Sequence, residues 1–369
     1  MTGSKLQEYA SAFHESGGYL NFASYGPPSR QVEETAADLL RTAAEGAVGA
    51  SEQLHLQDLR ARQAFSRLSG FPVERVGLLP YTSLGLFQVA FGIGAGTVLV
   101  GAGEFPANLY PWLRATGLGL GAVHRLGAPG DRVTVELVEQ ALTSDTVALA
   151  VSAVDFRTGY RADLAGLREV LGPDRLLVVD GIQGFGAVEL DWTVADALVV
   201  GGQKWIRGGW GAGALAFSEA GIARIRPVLS GWTGVEDATV HDGVEHPSRA
   251  GALSFGISHL SPFAVGSFAA ALELIEAATP PVIEAGIAAG LDRLLAELDA
   301  AGLPVLSPRR RAERAGIVSV EVPDAGAALR ALADAGISAT AHDGRRIRLS
   351  PHTTTPAQTF VDAAEILAA

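Results

Sequence analysis

Lys204 stands out by the kind of chemistry it permits. The chain carries 28 basic residues in 369 positions, and only two of them, Lys5 and Lys204, are lysine. Arginine replaces lysine as a charge but not as a nucleophilic amine. A lysine kept inside Gly201-Gly202-Gln203-Lys204-Trp205 therefore points to amine chemistry, with a snorkelling or salt-bridged lysine as the plainer alternative. Lys5 falls in a terminal segment that reads as frayed, where nothing selects between the two cations. Asp180 closes the apolar run Leu176-Leu177-Val178-Val179, 24 residues before Lys204. A carboxylate ending a buried strand needs a donor or a cation, so Asp180 is either a helix cap or the partner of a heterocyclic cation such as a pyridinium. In Pro80-Tyr81-Thr82-Ser83-Leu84-Gly85 a strand gives way to a helix at two hydroxyl residues. Such a junction is an N-cap or a phosphate seat. An aldehyde-reactive amine, a pyridinium partner and a phosphate seat together describe a pocket for pyridoxal 5′-phosphate.

These residues need a scaffold that ends several strands side by side. Short apolar runs at Val76–Leu79, Thr97–Val100, Ala122–Leu126, Thr146–Val154, Leu176–Val179, Ala197–Val200 and Ala212–Phe217 predict strands. Helical periodicity fills the gaps near 83–91, 107–116, 134–142 and 163–171, with Thr134 and Asp163 as caps. That alternation predicts an α/β fold with a mainly parallel, doubly wound sheet, whose strand ends bind ligands. Two amphipathic helices, Ser29–Ala44 and Ser51–Leu68, lead into it. An apolar helix over Ser261–Ala278 ends at the hinge Pro280-Pro281. After it come a helix (282–301), a strand (Ile317–Val322), a helix (Asp324–Ala335), strands Ile337–Thr340 and Arg346–Ser350, and a helix (Pro356–Leu367), a small α/β domain. The expected division is an N-terminal segment 1–20 packing on the small domain, a large cofactor domain 21–259, and a linking helix with a small C-terminal domain 260–369.

Composition removes several function classes. With no cysteine there is no thiolate metal site, disulfide framework or cysteine nucleophile. The eight histidines show no metal spacing, so no metal is expected. A net charge of −12 lacks the cationic footprint that nucleic acid demands. Val76–Gly103 carries no charge, but Pro80, polar residues and seven glycines punctuate it, so no membrane span is expected. The N-terminus has no apolar core of a signal peptide, and a cytoplasmic protein is expected. The cluster Arg309-Arg310-Arg311 with Arg314 reads as a solvated loop.

With Val179-Asp180-Gly181-Ile182-Gln183 followed by Gly201-Gly202-Gln203-Lys204-Trp205, the chain resembles the class V aminotransferases of the fold-type I pyridoxal-phosphate enzymes, the group of cysteine desulfurases, isopenicillin N epimerase and kynureninase. The likeness runs from Tyr19-Leu20-Asn21-Phe22-Ala23 to Arg348-Leu349-Ser350-Pro351-His352. It implies that Lys204 forms the internal aldimine and that Asp180 keeps the pyridine nitrogen protonated. It implies further that Gln183 donates to the phenolic oxygen and that Thr82, Ser83 and Gln203 hold the phosphate. Phe105 stands where desulfurases carry a stacking histidine; it can cover the ring but not move protons. Arg348 matches the arginine that grips the substrate carboxylate, and His342 and Tyr25 fall with the substrate-binding residues.

Departures from the family pattern narrow the activity. The stretch Ser338-Ala339-Thr340-Ala341-His342-Asp343-Gly344 has no persulfide cysteine, which excludes persulfide-forming desulfuration. Asp155 replaces an amide beside the cofactor, which suits a cationic or protonated state there. Ile257 replaces a threonine that reaches the neighbouring subunit's phosphate, with Ser258 as a substitute. The expected activity is at Cα of a small amino acid or derivative, first as an aminotransferase. A cysteine-independent C–S or other β-lyase follows, then an epimerase, and as a different class a cofactor-binding protein without turnover. The resemblance also implies a homodimer with its sites at the interface.

Overall fold

Buried strands alternating with capped helices set the architecture. The computed structural model describes residues 2–369. The described residues begin with helix α1 (Thr2–Ser11), which takes in Lys5 where the sequence reads as a frayed segment. The anchor is Tyr9, 2% exposed, which packs edge-on against Phe13 at 5.0 Å and faces His352 at 5.9 Å. Helix α2 (Arg30–Glu45) is capped by Ser29, whose hydroxyl accepts from the Val32 N–H at 3.3 Å, and α3 (Ala50–Ser69) follows. Then come β1 (Val76–Leu79), α4 (Thr82–Gly92), β2 (Thr97–Gly101), α5 (Tyr110–Gly117), β3 (Ala122–Leu126), α6 (Val135–Ala141), β4 (Thr146–Ser152), α7 (Leu164–Leu171), β5 (Leu176–Asp180), β6 (Ala197–Gly201), β7 (Gly213–Phe217) and α8 (Glu219–Arg224). Thr134 and Asp163 cap α6 and α7, accepting from Leu137 N–H at 3.3 Å and Gly166 N–H at 3.0 Å.

The seven strands form one sheet in the order β1-β7-β6-β5-β4-β2-β3. Strand β7 runs antiparallel to both its neighbours, and the pairs from β6 to β3 are parallel. The carboxyl ends of β1, β2, β4, β5 and β6 therefore share one rim, and Ser152 and Asp180 end their strands in register. Strands β5 and β6 are buried on both faces, which is why they read as continuous apolar runs. Leu177, Val179, Leu198 and Val200 face one core with Phe65, Phe185 and Phe268. Leu176, Val178, Ala197 and Val199 face the other with Leu86, Val89 and Trp112.

Helix α9 (Pro262–Ala278) meets α10 (Pro280–Ala300) at 82°, and no single described helix is long and apolar enough to cross a membrane. The bend falls at Thr279, whose φ is 72°, ahead of two prolines. Beyond it β8 (Val318–Glu321), α11 (Ala325–Asp334), β9 (Thr340–His342), β10 (Arg346–Leu349) and α12 (Ala357–Ala368) build a three-stranded antiparallel sheet in the order β8-β10-β9 with its helices. Strand β9 begins where the sequence pattern ended it. The apolar residue that suggested an earlier start, Ile337, is buried, but Ser338 pairs with the N-terminal segment instead: its N–H donates to Gly18 O at 2.9 Å and its carbonyl accepts from Leu20 at 3.0 Å. Phe22 N–H likewise donates to Ser350 O at 3.2 Å.

Candidate active site

Lys204 follows β6 in a tight turn. Gly202 N–H donates to Ala212 O at 2.9 Å, and Arg207 N–H donates to Lys204 O at 3.0 Å. Among the described residues no carboxylate lies within 4.0 Å of the amine, and the centroid of the Phe105 ring is 5.4 Å from it. Burial pulls the ammonium down from 10.5 to about 8; Asp180 opposes this and the charge of Arg348 adds to it. Roughly a tenth of Lys204 is thus free amine at pH 7, and half of it near pH 8.

Asp180, 2% exposed at the end of β5, accepts one hydrogen bond, from Ile182 N–H at 3.0 Å. Burial raises its carboxyl to about 6, against that bond and the Lys204 charge. It has a single protein donor and no ion pair among the described residues, so it is a buried acceptor awaiting a donor or cation. Glu104 comes close from the end of β2, a residue that the sequence reading passed over. It accepts from Ser152 N–H at 2.9 Å, from the Ser152 hydroxyl, and from Asn108 Nδ2 at 3.2 Å. Burial pushes Glu104 up to about 7, and the negative charge of Asp180 adds to the rise. The signal was available: Glu104 follows a buried strand by three residues, a carboxylate near a strand end as Asp180 is.

Thr82 begins α4 and is 4% exposed, and its Oγ1 is buried with no hydrogen-bond partner. Ser83 follows in the first turn, and Tyr81 leaves that turn without a side-chain cap. A Cβ built on Gly201 would stand 2.6 Å from both Thr82 Oγ1 and Gln203 Oε1, so the absence of a side chain there keeps a small polar cradle open. An orphaned hydroxyl in that cradle, a lone acceptor at Asp180 and a free amine at Lys204 fit the phosphate, ring nitrogen and aldehyde of pyridoxal phosphate.

On the opposite side Arg348, 4% exposed on β10, reaches in from the small sheet. Nη1 donates to Phe156 O at 2.9 Å, and Nη2 donates to Ser24 Oγ at 2.7 Å and to Thr340 Oγ1 at 3.4 Å; Nε has no partner. All three acceptors are neutral, which leaves a buried cation without a carboxylate among the described residues. Burial lowers its guanidinium to about 10, with Asp155 opposing. Phe156 stands between Phe105 (5.1 Å, edge-on) and His342 (5.9 Å), so the three rings form one wall. The Phe105 ring is 41% exposed. His342 is lowered from 6.5 by burial and then by the charge of Arg348, and its Nε2 is unpartnered. Tyr25 stacks on Trp210 at 4.1 Å.

Two of the expected residues bond to the protein itself. Gln183 spends its amide on the protein: Nε2 donates to Ala23 O at 2.9 Å and Oε1 accepts from Trp205 Nε1–H at 2.8 Å. Asp155 is bonded within its own turn. It closes its own loop by accepting from the Arg157 side chain at 2.8 Å and N–H at 2.9 Å, and from the Thr158 N–H at 2.7 Å and hydroxyl at 2.9 Å. The other expected residues, Lys204, Asp180, Thr82, Ser83, Gln203, Phe105, Arg348 and His342, gather at the shared rim and its facing strands. Ser24 and Phe156, both bonded to Arg348, join them without having been assigned a role.

Comparison with known proteins agrees with this geometry. A kynureninase of Deinococcus radiodurans is 30% identical over 238 residues, 59% of this chain and 56% of that protein. A probable cysteine desulfurase of Aeropyrum pernix is 30% identical over 208 residues, 54% of this chain and 45% of that one. The chain thus matches about half the length of these relatives. Among solved structures, C-DES with glycine covalently linked to its pyridoxal-phosphate cofactor superposes with a TM-score of 0.87 at 19% identity, over 95% of this chain and 96% of that one, and shares its fold. The family model described as aminotransferase class-V matches residues 86–361, and with that span this chain belongs to the class V aminotransferase family of pyridoxal-phosphate-dependent enzymes.

Proposed function

We propose that the protein is an aminotransferase that takes a small α-amino acid with its carboxylate on Arg348 and its reacting carbon beside Lys204. The observation that carries this reading is the pairing of a carboxylate-free amine with a carboxylate-free buried guanidinium, near enough for the charge of Arg348 to add to the lowering of the Lys204 ammonium. Thr82, Ser83 and Gln203 would hold the cofactor's phosphate, Asp180 its ring nitrogen, and Lys204 its aldehyde. When bound, pyridoxal phosphate supplies an electron sink that acidifies the Cα–H of an attached amino acid. The Arg348 fork orients the substrate carboxylate, the aromatic wall of Phe105 and Phe156 limits water, and Lys204 Nζ takes up and returns the proton. Phe105, the ring beside Lys204, cannot carry a proton, which removes one position for a second base and suits amino transfer better than epimerisation.

A β-lyase is the second reading, because the matched relatives include a kynureninase and a probable cysteine desulfurase. The same base can set up loss of a β-substituent, and the chain's lack of cysteine limits such a lyase to leaving groups that need no persulfide carrier. The test is incubation of the cofactor-loaded protein with an amino-acid panel and analysis of products. A 2-oxo acid with aminated cofactor supports transfer. Free ammonia with cleavage of the β-substituent replaces it with the lyase, and no change with any amino acid refutes both. A homodimer belongs to the same proposal: Tyr81, Tyr110, Trp210, Trp232 and Ile257 are each at least 39% exposed.

A further inference from the structure

Arg207 lies three residues after Lys204 and has no role in the site as described so far. Its backbone is left-handed at φ 64°, a conformation that a non-glycine side chain adopts under strain, and its side chain is 1% exposed. Its N–H donates to Lys204 O at 3.0 Å, and Nε donates to Pro27 O at 2.6 Å. Nη2 pairs with Glu15 Oε2 at 2.7 Å, with the Glu15 side chain 7% exposed. The guanidinium lies over Phe13 at 3.3 Å and Phe22 at 4.9 Å. A buried ion pair is poor value for stability when neutral residues of like volume can fill the same space. What this pair does that neutral residues cannot is join three separate segments: the lysine turn, the strap over residues 24–27, and the segment that follows α1.

The strap matters because it touches both functional groups. Ser24 Oγ accepts from Arg348 at its start. Gly26 N–H donates to Gln203 O at 2.8 Å, and a Cβ on Gly26 would fall 2.0 Å from Lys204 O, so strap and lysine turn are in direct backbone contact. Pro27 O accepts from Arg207 at its end. One short strap thus spans from the arginine that faces the substrate to the turn that carries the amine.

We infer that Arg207 is the positioning residue of this site: by clamping the Lys204 turn to the strap, with Glu15 as its counter-charge, it fixes the spacing between the Lys204 amine and Arg348. The inference rests on the reading of Lys204 as the cofactor lysine, and its test separates the two. Arg207→Lys keeps the charge opposite Glu15 but loses the fork that reaches Pro27. The double variant Arg207→Met with Glu15→Gln keeps volume and removes both charges. Each is compared with the wild type for thermal midpoint, for hydrogen exchange at Gly26 and Arg207 in cofactor-free protein, and for the rate of pyridoxal-phosphate uptake with the absorbance of the bound cofactor. Expected are midpoints near the wild type, at least tenfold faster exchange at Gly26, and at least tenfold slower uptake with a shifted absorbance maximum. Unchanged uptake and absorbance overturn the inference, whether or not the midpoint or the exchange changes. Should the double variant fail to fold, Arg207→Lys decides alone. If the wild type takes up no cofactor, the lysine reading falls; amide exchange and the rate of Lys204 acylation by an amine-directed reagent then decide the clamp, unchanged rates overturning it.

Discussion

Trp205 donates its indole N–H to the side-chain oxygen of Gln183 at 2.8 Å, so the two halves of the most informative sequence block are bonded to each other. Gln183 passes the link on to Ala23 O at 2.9 Å, which ties the turn after β5, the turn after β6 and the entry segment into one unit. Trp205→Phe removes the indole N–H together with part of the ring, leaving a buried amide oxygen without its donor and a small cavity. The expected loss is about 1–3 kcal/mol in urea unfolding of the cofactor-free protein.

Lys204→Arg keeps the charge and removes the amine. The protein should fold, remain colourless with pyridoxal phosphate after dialysis, and yield no borohydride-fixed label by mass spectrometry, whereas the wild type carries one at Lys204. A label on Lys5 would contradict the assignment.

Uptake of the cofactor should rise with pH as the Lys204 ammonium deprotonates, with a midpoint near 8 and not near 10.5. Because the charge of Arg348 helps to lower Lys204, Arg348→Met should move this midpoint upward. Stopped-flow absorbance across pH 6–10 reads both.

Asp180 binds a proton more tightly in the native protein than in the unfolded chain, since its folded value is about 6 against 3.8. Between those values the unfolded state holds fewer protons, so stability falls as pH rises through the window. The gap corresponds to about 3 kcal/mol at 1.36 kcal/mol per pH unit. Cofactor-free Asp180→Asn should therefore be more stable than wild type by on the order of 2–3 kcal/mol at pH 7, with the difference vanishing near pH 4 in urea titrations. Its affinity for pyridoxal phosphate should drop.

Arg348→Lys should weaken substrate binding more than chemistry. A lysine keeps the charge but cannot present a fork, and a charge-assisted bidentate contact is worth about 1.5–3 kcal/mol, so KM should rise roughly 10- to 150-fold with a smaller change in kcat. Steady-state kinetics on whichever amino acid the panel identifies would show the split.

The sheet and the strand-end residues were legible because local signals carry them: Asp180, Lys204 and Thr82 each interrupt or end an apolar run, and Thr134 and Asp163 cap helices three residues ahead of their bonded N–H. Contacts between distant segments left no such trace. Ser24 meets Arg348 across 324 residues, and nothing around Ser24 marks it as an acceptor for a guanidinium. The partners of Asp155, Arg157 and Thr158, read as ordinary turn residues, and only the folded chain brings their side chains back onto its carboxylate. The helix around Lys5 was missed because it depends on a single aromatic, Tyr9, finding a pocket made by Phe13 and His352.

The strands of the seven-stranded sheet that supply chemistry all point the same way, and the loops that enter β3 and β5 therefore lie on the reverse rim of that sheet. There Gly119 and Gly172 have open space around them, and Pro173 and Asp174 are exposed. A reporter domain spliced between Leu118 and Gly119, or between Pro173 and Asp174, would hang from the side opposite the pocket, so the protein is suited to internal fusion at two points where tethering a second enzyme leaves the substrate entrance clear.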